Sequence, residues 1–118
     1  MIYDTSALIR AIRRKGNFEE GSISIITLIE VLRGIEDDDK REKTASLLED
    51  AFDILDVDQK VARAYLGLYF ELKKKGELAS DADELIAATA LSREEALLTS
   101  DKDFLKFEPL IKVKLVAS

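Results

Sequence analysis

Short apolar runs alternate with helical stretches along this 118-residue chain, and most of the handovers between them are marked by an acid or a hydroxyl. Met1-Ile2-Tyr3 and Ala96-Leu97-Leu98-Thr99 are too short for core helices and read as buried strands, while Ser22-Ile23-Ser24-Ile25-Ile26 alternates with the two-residue period of a strand. The pattern predicts strands over 1–4, 22–26, 96–99 and 111–116, with a short strand or turn over 52–57. It predicts helices from 5 to about Lys15-Gly16, then over 27–35, 39–51, 58–75 and 81–92, and a short helical turn over 103–107. Gly76 is the natural cap of the long helix that carries Val61, Ala64, Tyr65, Leu68 and Leu72 on one side. Strands that alternate with helices in this way predict an α/β fold: a parallel sheet covered on both faces. No repeat, linker or low-complexity tract interrupts the pattern, so one domain spanning 1–118 is expected.

Composition narrows the chemistry. The chain has no cysteine and no histidine, which excludes disulfides, thiolate nucleophiles, zinc-thiolate sites and serine-histidine triads. Carboxylates remain as the plausible catalytic side chains. The net charge of −6 argues against nucleic-acid binding by bulk electrostatics, so any such contact is expected to be local and metal-assisted. The first residues lack a basic segment followed by a long apolar one, and no stretch reaches the ~20 apolar residues of a membrane span. A cytoplasmic protein is the expectation.

Four acids stand at the ends of the apolar segments: Asp4 after Ile2-Tyr3, Glu30 in Thr27-Leu28-Ile29-Glu30, Asp83 before Leu85-Ile86-Ala87-Ala88, and Asp101 after Leu98-Thr99-Ser100. A carboxylate beside buried segments is expensive unless it is paired or holds a cation. Gathered together, the four would make an oxygen-only pocket suited to Mg2+ or Mn2+, and hence hydrolytic phosphoryl chemistry. Each also has a structural explanation. Asp4 suits a helix N-cap, a role that can coexist with facing a cation. Glu30 completes a capping box with Thr27, although Gly34, one turn on, leaves that face open. Asp83 lies in a first helical turn, where the helix dipole favours negative charge, and shares a face with Ile86, Ala87 and Ala90, which favours it over Asp81. Asp101 suits an Asx turn. Asp103 suits the cap of the next short helix or a secondary ligand. The hydroxyls of Thr5, Ser6 and Thr99 stand ready to hold a water or a phosphate oxygen. Arg10, Arg13, Arg14 and Lys15 read first as an exposed helix face and, should the chain handle RNA, as phosphate contacts.

Four segments carry a resemblance. Ile2-Tyr3-Asp4-Thr5-Ser6-Ala7-Leu8-Ile9, Thr27-Leu28-Ile29-Glu30-Val31-Leu32-Arg33-Gly34, Asp83-Glu84-Leu85-Ile86-Ala87-Ala88-Thr89-Ala90 and Leu98-Thr99-Ser100-Asp101-Lys102-Asp103-Phe104 resemble, in order, the four motifs of the PIN-domain ribonucleases, in particular the VapC-type toxins of prokaryotic toxin-antitoxin pairs. The resemblance covers the whole length. It implies a three-layer α/β/α sandwich with a central parallel sheet. It also implies a Mg2+ or Mn2+ site for cleaving RNA built by Asp4, Glu30, Asp83 and Asp101, with Ser6 and Thr99 supporting and Asp103 assisting. A homodimer, and inhibition by a cognate antitoxin whose tail enters the acidic groove, follow from the same resemblance. Two rivals come from other classes. A PIN-like module that sequesters an Arg-rich partner without turnover would use the same acids. A receiver-type phosphoacceptor domain needs an acidic pair near the first strand, and the single Asp4 fits it poorly.

Overall fold

The computed structural model describes residues 1–14 and 19–117. Its elements follow one another as β1 (Ile2–Tyr3), α1 (Thr5–Arg13), β2 (Ser22–Ser24), α2 (Ile25–Leu32), α3 (Asp38–Ala51), β3 (Asp53–Leu55), α4 (Gln59–Lys75), α5 (Asp81–Arg93), β4 (Leu97–Thr99), a 3-10 segment (Lys102–Phe107) and β5 (Val113–Leu115). The strands form one sheet in the order β3-β2-β1-β4-β5, and every neighbouring pair is parallel.

Successive strand side chains point to opposite faces, and this alternation divides the interior into two cores. Ile2, Leu55 and Leu97 turn to one side, where Leu68 and Leu72 of α4, Ile86 of α5 and Phe104 and Phe107 of the 3-10 segment meet them. Tyr3, Ile23 and Leu98 turn to the other and pack on Leu8 of α1, Val31 of α2 and Leu48 of α3. Each fully buried Leu or Ile contributes about 1.5–3 kcal/mol relative to exposure, so both helical layers are held to the sheet mainly by burial. The expected three-layer α/β/α sandwich with a parallel sheet is what folds. No helix among the described residues is long and apolar enough to cross a membrane.

Local chemistry sets the boundaries. α4 begins at Asp58, whose carboxylate accepts the Val61 N–H at 3.0 Å, and ends at Gly76, which takes the left-handed φ of 69° that a side chain would resist. The second strand is shorter than the sequence predicts. The β-branched run Ile25-Ile26 suggests a strand to 26, but Ser24 accepts the Ile26 N–H at 3.0 Å and starts α2 at Ile25. The expected end of α1 near Lys15-Gly16 lies outside the described residues; α1 is described to Arg13, with Arg14 as its cap.

The strand order places the functional crevice. The chain builds outward from β1 to β2 and β3, then returns to lay β4 on the other side of β1. Beyond the carboxyl ends of β1 and β4 the chain therefore diverges, with α1 packing on one face and the 3-10 segment on the other. Such a switch point leaves an opening at the carboxyl edge of a parallel sheet, the usual place for a ligand in this architecture.

Candidate active site

Asp4 leaves β1 directly into that opening and is only 2% exposed. Its Oδ1 accepts the Ala7 N–H at 2.8 Å and the Ser6 hydroxyl at 2.7 Å, and its Oδ2 accepts the Thr99 hydroxyl at 2.5 Å. Asp4 is thus the N-cap of α1 and also the meeting point of β1 and β4. Burial pushes its carboxyl above the usual range; the hydrogen bonds from Thr99, Ala7 and Ser6 oppose the rise, and the charge of Asp101 adds to it. Ser6 and Thr99 extend the seam: Ser6 Oγ accepts the Ser100 N–H at 3.0 Å, and Thr99 Oγ1 accepts the Asp101 N–H at 3.0 Å. The loop that carries Asp101 is therefore tied to the first turn of α1.

Glu30 enters from α2. Its Oε1 accepts the Thr5 hydroxyl at 2.6 Å, and its Oε2 lies 3.7 Å from a guanidinium nitrogen of Arg33. This overturns the capping-box explanation of Glu30. Ser24 is the cap of α2, and Thr27 sits buried within the helix, its hydroxyl 3.3 Å from that of Thr5. Gly34 lies past the end of α2, where a Cβ would meet only the Val31 carbonyl oxygen, at 3.4 Å.

Asp83 projects from the first turn of α5, which Ser80 caps by accepting the Asp83 N–H at 3.2 Å. Its carboxyl is raised, first by burial and then by the charges of Glu30, Asp101 and Asp4, against a hydrogen bond from Ser80. Asp101 is exposed and caps the 3-10 segment, its Oδ1 accepting the Asp103 N–H at 2.9 Å. The cap expected of Asp103 therefore belongs to Asp101. Asp103 itself turns outward and lines a separate cavity with Lys75, Lys102 and Lys106.

Asp4, Glu30, Asp83 and Asp101 line one cavity of about 270 Å³. Thr5, Ser6, Ile9, Ile86 and Phe104 complete its wall. Four segments far apart in sequence thus deliver their carboxylates to one opening. Among the described residues, no group of three acids stands close enough to enclose an ion as a ready-made cage. The donor set nonetheless fits a hard cation: it is all oxygen, and burial together with the charge of neighbouring acids raises the carboxyls of Asp4 and Asp83. Mg2+ keeps several of its waters and commonly takes only one or two carboxylates directly.

One acid escaped the sequence reading. Glu84, next to Asp83, is 1% exposed; its Oε2 accepts the Ala79 N–H at 3.2 Å and its Oε1 has no partner. Burial raises its carboxyl too. The signal was available, because Glu84 shares a helical face with Ala87 and Ala88, and an acid on a small, apolar face is out of place.

A parallel sheet with an acidic crevice at its switch point describes an α/β protein with an all-oxygen site at the sheet's carboxyl edge, and comparison with known proteins gives it a family. The PIN domain model matches residues 1–108, and the chain belongs to the PIN-domain family. It is 36% identical over 104 residues to Ribonuclease VapC1 of Methanocaldococcus jannaschii, a match covering 86% of this chain and 76% of that protein. Among solved structures, VapBC2 from Rickettsia felis bound to a DNA fragment from its promoter superposes with a TM-score of 0.84 at 23% identity, covering 98% of this chain and 99% of the other. A toxin-antitoxin complex from Klebsiella pneumoniae superposes with a TM-score of 0.72 at 27% identity, covering 93% of each chain.

Proposed function

We propose that this chain is a Mg2+- or Mn2+-dependent endoribonuclease, the toxin of a toxin-antitoxin pair, with residues 1–118 working as one catalytic domain. The observation that carries the proposal is the convergence of Asp4, Glu30, Asp83 and Asp101 on one cavity beyond the ends of β1 and β4. The kinship with a VapC ribonuclease supports the reaction class, and the likeness to a toxin-antitoxin complex supports an antitoxin partner. The remainder of the proposed setting is a homodimer acting on RNA in the cytoplasm.

The four acids are the proposed ligand set. When bound, a divalent cation would supply Lewis acidity toward the phosphodiester and acidify water for attack at phosphorus. The protein's share is positioning. Ser6 and Thr99 each spend their hydroxyl proton on Asp4, so that carboxylate is fixed before substrate arrives and can orient the attacking water. Thr5 does the same for Glu30. Asp83 and Asp101 face the same space from the opposite layer, which leaves the scissile phosphate between two sets of anionic oxygens. A polyanion enters such a space only when its charge is compensated there.

Purified protein should cleave a heterogeneous RNA pool only with Mg2+ or Mn2+ present, and Asp83→Asn should lose that cleavage while keeping its fold by circular dichroism. Divalent-independent cleavage, or full cleavage by both Asp83→Asn and Asp4→Asn, would overturn the proposal.

A further inference from the structure

The acid crevice does not end at Ser6 and Ile9. These two residues also line a neighbouring cavity of about 400 Å³, whose remaining wall is Arg10, Arg13, Arg14 and Ser100. Arg10 and Arg14 in turn line a further cavity of about 270 Å³ that reaches Lys114 of β5 and is flanked by one acid, Glu19. A path with a basic wall thus leads away from the acids along α1. Ser6, Arg10 and Arg14 recur every four residues on one side of the helix, so the path advances in steps of about 6 Å.

These arginines are uncommitted. In a chain of 24 acids and 18 bases, none of Arg10, Arg13 and Arg14 has an ion-pair partner among the described residues, whereas Arg33 lies against Glu30 and Arg41 against Asp38. Arg10 is partly buried, and its Nε is enclosed without a hydrogen-bond partner among the described residues. An enclosed guanidinium N–H with no protein acceptor is costly unless water or a ligand supplies one, so it is a donor free to meet an incoming acceptor. A guanidinium presents its donors as a planar fork that matches the oxygens of a phosphate.

We infer that the Arg10–Arg13–Arg14 cleft seats backbone phosphates of the nucleic-acid strand on one side of the bond to be cut, with Arg10 as its anchor. This rests on the nuclease reading, since it takes the strand to leave the acid crevice past Ser6 and Ile9. It also answers the electrostatic problem of the site: the strand is held by positive charge immediately beside the acids, so a protein of net charge −6 needs no basic surface elsewhere.

The test is binding, read separately from cleavage. A fluorescently labelled single-stranded oligoribonucleotide is titrated with wild type, Arg10→Gln, Arg10→Lys, Arg14→Gln and, as a control on the exposed side of α3, Lys43→Gln, first in EDTA and again in Ca2+. Arg10→Gln should weaken binding about tenfold and reduce the slope of log K against log salt by about 0.7, the value of one phosphate contact on a single strand. Arg10→Lys should keep the slope but recover only part of the affinity, because the fork is lost. Arg14→Gln, at an exposed position with little bearing on folding, should lower affinity and slope together, and Lys43→Gln should change neither. Unchanged affinity and slope in both Arg10→Gln and Arg14→Gln, or no strand binding by wild type in either medium, overturns the inference. So does a cleft that discriminates an oligoglutamate peptide but not RNA, which would make it a protein-binding site. Strand binding that needs Arg10 in a protein that cleaves no RNA would sink the nuclease reading and spare the cleft; cleavage with an unchanged KM in Arg10→Gln would do the reverse.

Discussion

Asp4 and Asp83, the two crevice acids whose carboxyls burial raises, are held in opposite ways. Asp4 is surrounded by donors: a backbone N–H and two hydroxyls converge on its oxygens, and it joins the first turn of α1 to the end of β4. Asp83 is surrounded by like charge, with Glu30, Asp101 and Asp4 all raising its proton affinity and Ser80 opposing them. Burial raises both carboxyls, yet only the first is answered by donors from two elements that it ties together, while the second meets mainly the charges of other acids. One site therefore contains an acid the fold needs and an acid the fold merely tolerates. Tolerance of that kind is expected where a group is kept for a ligand rather than for stability.

The widest separation between the two should come from removing Asp4. Asp4→Ala deletes an N-cap, worth about 0.5–2 kcal/mol, and leaves Ser6, Thr99 and the Ala7 N–H to find new partners in a buried seam. Urea unfolding should show a total loss of about 2–4 kcal/mol, and RNA cleavage should fall by at least ~10²-fold. A variant that kept wild-type stability would show that Asp4 is tolerated like Asp83, and the comparison would fail.

Thr99→Val probes the same seam from the other side with a smaller effect. The substitution keeps the shape but leaves Asp4 Oδ2 and the Asp101 N–H without their shared partner, at about 1–3 kcal/mol. Cleavage should drop about 10- to 100-fold, since a residue that orients a ligating group commonly matters to that degree. Equal stability of Thr99→Val and wild type in thermal unfolding would show that the seam is held by Ser6 alone.

How far this arrangement could be read from sequence differs between the same two acids. Asp4 and its strand were legible because an apolar triplet, an acid and two hydroxyls in a row leave few alternatives, and Gly76 announced the end of the long helix expected over 58–75, whose N-cap proved to be Asp58. The ends of α2 were not legible, because Ile25 and Ile26 suit a strand intrinsically and only the hydrogen bond accepted by Ser24 decides against it. That single boundary misassigned Glu30 to a capping box. Glu84 was legible only in part: the small, apolar face it shares with Ala87 and Ala88 marks it as out of place, but how completely that face is buried depends on the packing of α4 on α5. The convergence of the acids themselves depends on the order in which strands lie side by side, a property of the whole sheet.

Asp83→Asn should sharpen the contrast in the opposite direction from Asp4→Ala. A carboxyl whose folded pKa is raised adds stability below its unfolded pKa, about 4, and loses that contribution as pH rises through the folded value. At neutral pH in EDTA the ionised Asp83 therefore opposes folding, and the neutral amide should raise the melting temperature. Below pH 4 the gain should vanish. Mn2+ should stabilise wild type by about 2.7 kcal/mol at a hundredfold excess over its dissociation constant, and Asp83→Asn much less. A variant less stable than wild type at neutral pH without metal would mean that Asp83, too, is part of the structure.

The mildest effect lies one helical step away and checks that the contrast belongs to the crevice rather than to the first turn of α5. Asp81 shares that turn with Asp83 but faces outward, accepting the Tyr65 hydroxyl at 2.9 Å. There the hydrogen bond to Asp81, followed by burial and the charges of Asp81 and Glu84, pushes the Tyr65 phenol up to about 12. The carboxylate favours the protonated phenol, so this contribution to stability is complete below the ordinary tyrosine pKa of about 10 and is lost as pH rises through the folded value. The difference in phenolate absorbance between wild type and Tyr65→Phe should therefore titrate near pH 12, and in an Asp81→Asn background it should move back toward pH 10, with RNA cleavage at neutral pH unchanged. Loss of cleavage in Asp81→Asn would extend the functional acids to the outer side of α5. Two carboxylates two residues apart would then no longer be separated by the direction in which the helix points them.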